Sequence, residues 1–407
     1  MRVGVEVGGT FTDLVAVEEG RIVVTKVRST PHSPDIGAFN AIEQAKLALD
    51  KVVDLAHGST VATNAVLERK GCRAALLTTR GFRDLLALQR QLRPNVYSLA
   101  CLKPEPLIPL ERVAEVPERI GPSGEVIEPL DEAALMQTLE RLMAEQQPQA
   151  IAVCLLHAYR NPAHEERVGA MIRQRWQDVP VILSSAVLPT FREYERASTA
   201  AMAAYLAPLV GRYLQTIEGH LAGRAGGKRL FVMQSSGGVL PAAGLGERGV
   251  EMLNSGPAAG VIAATRVAAR IGDPDILTLD VGGTSADVCL VRGGAPEVRA
   301  ETEVDGLPVG MPTVDIANVG AGGGSLGWID RGGMLQLGPQ SAGARPGPAC
   351  YGHGGREPAT TDALVQLGWI RPQRFLGGRM TLLPERAEAA LAALGGKLGQ
   401  DADQTAE

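Results

Sequence analysis

Aromatic side chains make up only 4% of this sequence, and no basic cluster is interleaved with them. Lys and Arg number 40 against 45 Asp and Glu, a formal net charge of −5. No basic field exists to collect nucleic-acid phosphates, so a nucleic-acid partner is excluded. The five cysteines, at 72, 101, 154, 289 and 350, are odd in number, scattered and free of any CxxC pair. Neither a disulfide framework nor a zinc ribbon is indicated. Cys154 and Cys289 stand in apolar strand-like runs, the setting of an inert buried thiol. His157 and His164 fit no HExxH pattern, and Gly237-Gly238 follows Ser236 without G-x-S-x-G. Long hydrophobic runs are also missing. The most apolar stretch, 197–214, is interrupted by Pro208 and carries Arg212, which describes a buried helix and not a membrane span. Glu6 and Asp13 fall within the first strands, so the N-terminus is no signal peptide, and we expect a cytoplasmic protein with no membrane contact.

What is abundant is glycine, 49 residues in 407, which favours tight turns and close backbone approach. The length implies two domains. Strand patterns at 2–7, 13–17 and 23–29, separated by Gly8-Gly9 and Glu19-Gly20, read as a β-meander. A helical pattern covers 34–51. A strand near 55–58, a helix opening at Thr60 and a strand at 74–78 follow. Alternation continues through a strand at 151–157, a helix capped by Asn161 with Pro162 at its first position, and a strand at 181–184. This is an α/β pattern. Near residue 190 the texture changes to a long helix from Glu193 to about Leu221. A strand at 230–234, a helix after Ser255-Gly256-Pro257 and a strand at 276–281 come next. The glycine- and proline-dense stretch 318–355 reads as ordered loops beside a ligand or as plain surface loops.

One segment occurs twice. VEVGGTFTDLV at 5–15 aligns without gaps on LDVGGTSADVC at 279–289. Each copy is a strand, an acid, a Gly-Gly-Thr turn, a second acid and a second strand. Gly8-Gly9 and Gly282-Gly283 would expose backbone N–H groups to an oxyanion without side-chain cover, and Thr10, Thr12, Thr284 and Ser285 would add hydroxyl donors. Glu6 and Asp280, ending the first strand of each copy, could hold Mg²⁺ directly or through its waters. Asp13 and Asp287 begin the second strands and join Asp280 as candidate catalytic carboxylates. Two such hairpins facing each other would clamp the β- and γ-phosphates of a nucleotide. Neither GxGxxG nor GxxxxGK[ST] appears in a strand–helix context, so a Rossmann or P-loop site is not the source of this signal.

These hairpins resemble those of the actin-like, sugar-kinase-like ATPase superfamily, whose fold is an α/β, ribonuclease H-like architecture of two lobes. Further motifs narrow the likeness: HGSTVATN at 57–64, MQSSGG at 233–238, SGPAAG at 255–260, GAGGGS at 320–325 and GPACYG at 347–352. Together they resemble the hydantoinase A/5-oxoprolinase family from Met1 to about Leu383. The resemblance implies an N-terminal domain over 1–185 and a hydantoinase A/oxoprolinase domain over 186–407. It implies ATP and Mg²⁺ as cofactors, a cyclic amide such as 5-oxoproline or a hydantoin as substrate, and a B-type hydantoinase subunit as partner, with a homo-oligomer possible. Gly322, Gly323 and Gly324 would join the nucleotide site, and Thr60, Thr63, Asn64 and Asp315 would line the substrate site. His57 reads equally as a substrate contact or a structural histidine, and Asp362 as a helix cap that the resemblance places near the site. Departures are Glu6 where an Asp is usual, Ala286 for a common Thr, and Ala317-Asn318 in place of His-Thr. Family members continue well past residues 375–378, so a C-terminally truncated member is expected, with its adenosine contact supplied elsewhere. The expected activity is ATP-dependent opening of a cyclic amide. Alternatives are the ATPase subunit of an acetone/acetophenone-type carboxylase and a non-catalytic nucleotide-binding module.

Overall fold

The computed structural model describes residues 1–407 except 9, 10, 31, 32, 93–95, 98, 100, 101, 223–228, 284 and 344, and the side chains of Leu49 and Ala222. The described chain divides into two compact units, one of residues 1–259 with 298–314, the other of 260–297 with 315–407.

The first unit begins with β1 (Arg2–Val7), β2 (Phe11–Glu18) and β3 (Arg21–Arg28), an antiparallel meander. Period-two burial sets its register: Val3, Val5 and Val7 of β1 and Thr12, Leu14 and Ala16 of β2 point inward. Helix α1 (Pro34–Gln44) packs on this sheet through Ala38, Ala41 and Ile42. The helix expected over 34–51 therefore stops early. Lys46 has a positive φ of 52°, which breaks the helical path, and only a 3₁₀ turn, Leu49–Lys51, follows. β4 (Asp54–Ser59) adds to β1 in parallel, and α2 (Val61–Leu67) opens after Thr60.

A second, parallel sheet is built from β5 (Ala74–Thr79), β6 (Val113–Val116), β7 (Ala150–Cys154) and β8 (Val181–Leu183), in the order β8-β7-β5-β6. Every residue of β5 and β7 is buried, as expected of parallel strands covered on both faces. The strand expected over 151–157 ends at Cys154, because His157 turns the chain with a φ of 56°. Helix α3 (Glu132–Gln146) is capped by Asp131 Oδ1, which accepts from the Ala134 amide at 3.0 Å. It buries Leu135, Leu139 and Leu142, one face at helical spacing. Helix α4 (Ala163–Arg175) starts beyond Pro162, and Asn161 Oδ1 accepts from the Ala163 amide at 3.1 Å. Helix α5 (Glu193–Ala222) runs 30 residues through Pro208 and packs an alanine-rich surface on both sheets. β9 (Arg229–Met233) and β10 (Val239–Pro241) complete the first sheet in the order β10-β9-β4-β1-β2-β3.

Helix α6 (Ser255–Ile271) leads into the second unit. There β11 (Ile276–Val281) pairs antiparallel with β12 (Ala286–Arg292), which also pairs with β13 (Ala295–Pro296) and β14 (Ala317–Val319). The glycine-dense region forms a hairpin, β15 (Ser325–Ile329) with β16 (Leu335–Ser341), and then α7 (Thr360–Gln366), α8 (Pro384–Gly395) and α9 (Ala402–Ala406) pack on one another. Among the described residues no helix is long and apolar enough to cross a membrane.

Candidate functional site

The duplicated sequence is duplicated structure. In the first hairpin Glu6 faces Asp13 across the strands, and the Gly8 amide closes the turn on the Phe11 carbonyl at 3.0 Å. In the second, Asp280 faces Asp287, and the Gly282 amide closes on the Ser285 carbonyl at 2.9 Å. Gly9, Thr10 and Thr284 lie outside the described residues. The repeat extends to a third strand that the sequence did not reveal: Asp13 faces Lys26 on β3, and Asp287 faces Asn318 on β14.

That third strand makes the two acid pairs electrostatically different. Lys26 Nζ donates to both Asp13 oxygens, at 2.8 and 2.7 Å, so Asp13 is an ion-paired carboxylate at a half-open surface. Asp287 receives one neutral bond, from Asn318 Nδ2 at 2.8 Å. Burial raises the Asp287 carboxyl above the usual range, Asn318 opposes this, and the charge of Asp280 adds to the rise. Two carboxylates with no ion pair to a cation among the described residues suit a divalent ion that keeps most of its waters. Among the described residues no group of three or more His, Cys, Asp or Glu is placed around one ion.

Glu6 occupies a slot made by two glycines. A Cβ added at Gly58 on β4 would lie 1.7 Å from Glu6 Oε2, and one added at Gly256 in α6 would lie 2.4 Å from Oε1. A side chain at either place would displace the carboxylate from this slot. Burial there, with the charge of Asp13 second, pushes the Glu6 carboxyl from 4.5 up to about 7. Both glycines were visible in the motifs at 57–64 and 255–260, but their purpose was not.

The second hairpin is braced from behind. The amides of Gly323 and Gly324 donate to the carbonyls of Gly282 and Gly283 at 2.8 and 2.6 Å, and the Thr361 amide and hydroxyl both bond the Gly323 carbonyl. A Cβ at Gly324 would fall 2.8 Å from the Gly283 carbonyl oxygen and from Ser341 Oγ, so close docking requires glycine. The Gly322 amide donates to Ser325 Oγ at 2.8 Å. The carbonyls of the Gly-Gly turn are thus occupied, while the Gly283 amide has no acceptor among the described residues. The space where a Gly283 Cβ would point is open to at least 4 Å. An amide with no acceptor of its own is free to donate to an oxyanion. Ser285 stays half-buried beside it.

Other predicted residues have structural partners. Thr12 is buried, its hydroxyl 2.9 Å from Ser29 Oγ, which in turn donates to the Gly8 carbonyl. Thr60 bonds the Val7 carbonyl and receives Asn64 Nδ2. Thr63 Oγ1 accepts from the amide of Asn254, which holds a positive φ of 54°. Thr60, Thr63 and Asn64 are therefore gathered on the first turns of α2, in the first unit, whereas half-buried Asp315 belongs to the second. His57 is fully buried, with Nε2 2.7 Å from Tyr213 Oη, and burial lowers it from 6.5 to about 4. It is a neutral core histidine and not a substrate contact. Asp362 is buried, and its carboxylate accepts from the amides of Ala349, Cys350 and Ala359 at 3.1, 2.7 and 2.8 Å. It caps α7 and ties the 349–351 turn to it. Cys72, Cys154, Cys289 and Cys350 are buried free thiols, all pushed up chiefly by burial. Cys101 lies outside the described residues.

The model of the hydantoinase/oxoprolinase N-terminal region matches residues 2–176, and that of hydantoinase/oxoprolinase matches residues 196–407. The chain belongs to the hydantoinase/oxoprolinase family. It is 36% identical to the caprolactamase subunit alpha of Pseudomonas jessenii over 98% of this chain and 58% of that protein. It is also 36% identical to the acetophenone carboxylase gamma subunit of Aromatoleum aromaticum over 96% of this chain and 56% of that one. The crystal structure of ATP-dependent caprolactamase from Pseudomonas jessenii superposes with a TM-score of 0.88 at 35% identity. It covers all of this chain and 60% of the caprolactamase chain. The fold is thus the α/β actin-like ATPase fold, and the chain spans less than two thirds of these relatives' length.

Proposed function

We propose that this chain is the ATP-using component of an enzyme that activates a cyclic amide for ring opening. One observation carries the reading: the Gly282-Gly283 turn, braced behind by Gly323 and Gly324, presents a free amide beside the acid pair Asp280 and Asp287. In the mechanism the Gly283 amide donates to a phosphate oxygen. Asp280 and Asp287 would hold Mg²⁺, with Glu6 the corresponding acid of the first hairpin; the bound ion supplies neutralisation of phosphate charge. Burial, with the charge of Asp280 adding to it, raises the Asp287 carboxyl, and a bound cation would offset that cost and hold it ionised. Asp13, held at both oxygens by Lys26, orients its surroundings.

A lactam is a poor electrophile with a poor leaving group. Attack of its oxygen on the γ-phosphorus forms a P–O bond, breaks the β–γ bridge and releases ADP. Water then adds to the activated carbon, the ring C–N bond breaks with a proton going to the nitrogen and leaves an acyl phosphate, and a second water releases phosphate and the open-chain acid. Positioning and charge neutralisation are most of what the protein must supply. We propose a B-type hydantoinase subunit as the partner for the hydrolytic step. The equal identity to a carboxylase gamma subunit supports a second reading, in which a ketone enolate is phosphorylated and then carboxylated. ATP turnover against lactams and against ketones with bicarbonate, with and without a B-type subunit, separates the two. Lactam-stimulated turnover that falls at least about 100-fold in Asp280→Asn, with ADP binding retained, is the expected result. Turnover stimulated only by ketone and bicarbonate selects the second reading, and turnover unchanged in Asp280→Asn contradicts the metal assignment.

A further inference from the structure

The repeat permits a comparison of equivalent positions in the two units. Asp13 and Asp287 stand at the same place in the two copies, and so do Lys26 and Asn318, each directly opposite on the third strand. Phe11 corresponds in the same way to Ser285. Lys26 is held from two sides: its ammonium donates to both Asp13 oxygens, at 2.8 and 2.7 Å, and lies 5.1 Å from the centroid of the Phe11 ring. The side chains of Lys26 and Asp13 are 38% and 43% exposed, and an ion pair in that setting adds little to stability. Its consequence is electrostatic. One fixed cation offsets Glu6 and Asp13, and both oxygens of Asp13 are covered. Asp280 and Asp287 have no ion pair to a cation among the described residues. The places of Lys26 and Phe11 are taken there by a neutral amide, Asn318, and a hydroxyl, Ser285, groups that can hydrogen-bond the waters Mg²⁺ retains.

Given the reading of Asp280 and Asp287 as the carboxylates that hold Mg²⁺, on which this rests, we propose that Lys26 is the resident cation of the first hairpin. It takes there the place that the divalent ion takes in the second, so Glu6 and Asp13 bind no ion of their own. Residue 26 and its counterpart 318 thereby decide which copy of the hairpin holds metal. A divalent ion at Asp13 would have to displace an ammonium already bonded to both carboxylate oxygens. At Asp287 it meets a single bond, from Asn318 Nδ2 to Oδ1 at 2.8 Å, and Oδ2 is open to it. Lysine suits the role, because its ammonium is a compact point charge that no metal ligand set requires.

The test locates the ion directly on the nucleotide-free chain. Fe²⁺ in place of Mg²⁺, with ascorbate and peroxide, cleaves backbone beside the bound ion, and mass spectrometry places the cuts. In the parent, cuts are expected within 280–287 and not within 6–13. Lys26→Asn, which gives the first hairpin the neutral amide of the second, is expected to raise cutting within 6–13 at least about tenfold. Asn318→Lys is expected to lower cutting within 280–287 by a similar factor, about tenfold, because the new ammonium pairs with Asp287. Lys26→Arg keeps the charge and is expected to match the parent. Circular dichroism melts check that each variant is folded. Cuts in both hairpins of the parent overturn the inference and leave the reading of Asp280 and Asp287 standing. So does a pattern that neither Lys26→Asn nor Asn318→Lys changes. A parent left uncut within 280–287 overturns the inference and that reading together.

Discussion

Replacing Glu6 by Gln should stabilise the protein at neutral pH and leave it unchanged in acid. Its carboxylate lies between the backbones of Gly58 and Gly256, and burial followed by the charge of Asp13 raises it from 4.5 to about 7. The folded state therefore binds this proton more tightly than the unfolded state does. Stability is full below pH 4.5, declines as pH rises towards about 7, and is level above. A rise from 4.5 to about 7 corresponds to about 3 kcal/mol lost at neutral pH. Glutamine keeps the shape and removes the charge. In urea titrations followed by circular dichroism, Glu6→Gln should match the parent at about pH 4 and exceed it by about 3 kcal/mol at about pH 8. A difference that stays constant from about pH 4 to pH 8 would refute the argument, because it would mean that Glu6 binds its proton equally well in the folded and unfolded states.

Two further substitutions probe the second unit. Asp362→Ala leaves the buried amides of Ala349, Cys350 and Ala359 without an acceptor and should cost about 3–5 kcal/mol, read from the unfolding midpoint. Gly324→Ala sets a Cβ 2.8 Å from the Gly283 carbonyl oxygen. It should cost about 1–3 kcal/mol in the same measurement and weaken nucleotide binding through the displaced turn.

The hairpins were legible because their signal is local: a period-two pattern, a glycine pair and acids at fixed offsets place Glu6 opposite Asp13 and Asp280 opposite Asp287. The third strand was not, since β3 follows β2 directly whereas 24 residues separate β12 from β14, and nothing in Asn318 announces that it answers Lys26. The slot around Glu6 joins three segments far apart in sequence, and only their packing shows that Gly58 and Gly256 leave room for its carboxylate. Hydroxyls misled in the other direction. Thr12 reads as a phosphate donor by position, yet it is buried and committed to Ser29. His57 likewise stands at a strand end in a motif, and the strand's inward face decides its role. The helix expected over 34–51 failed at Lys46 because apolar spacing continued past a residue that the backbone turns to positive φ.

The central claim is that the free amide of the Gly282-Gly283 turn grips a nucleotide phosphate, and Gly283→Val tests it most directly. Open space surrounds the position, so the fold should survive while the valine side chain covers the amide. Isothermal titration with Mg-ATP should show binding to the parent chain and a loss of at least about 10–100-fold in the variant, equal to one charge-assisted hydrogen bond. Unaltered ATP affinity in a folded Gly283→Val protein would contradict the account.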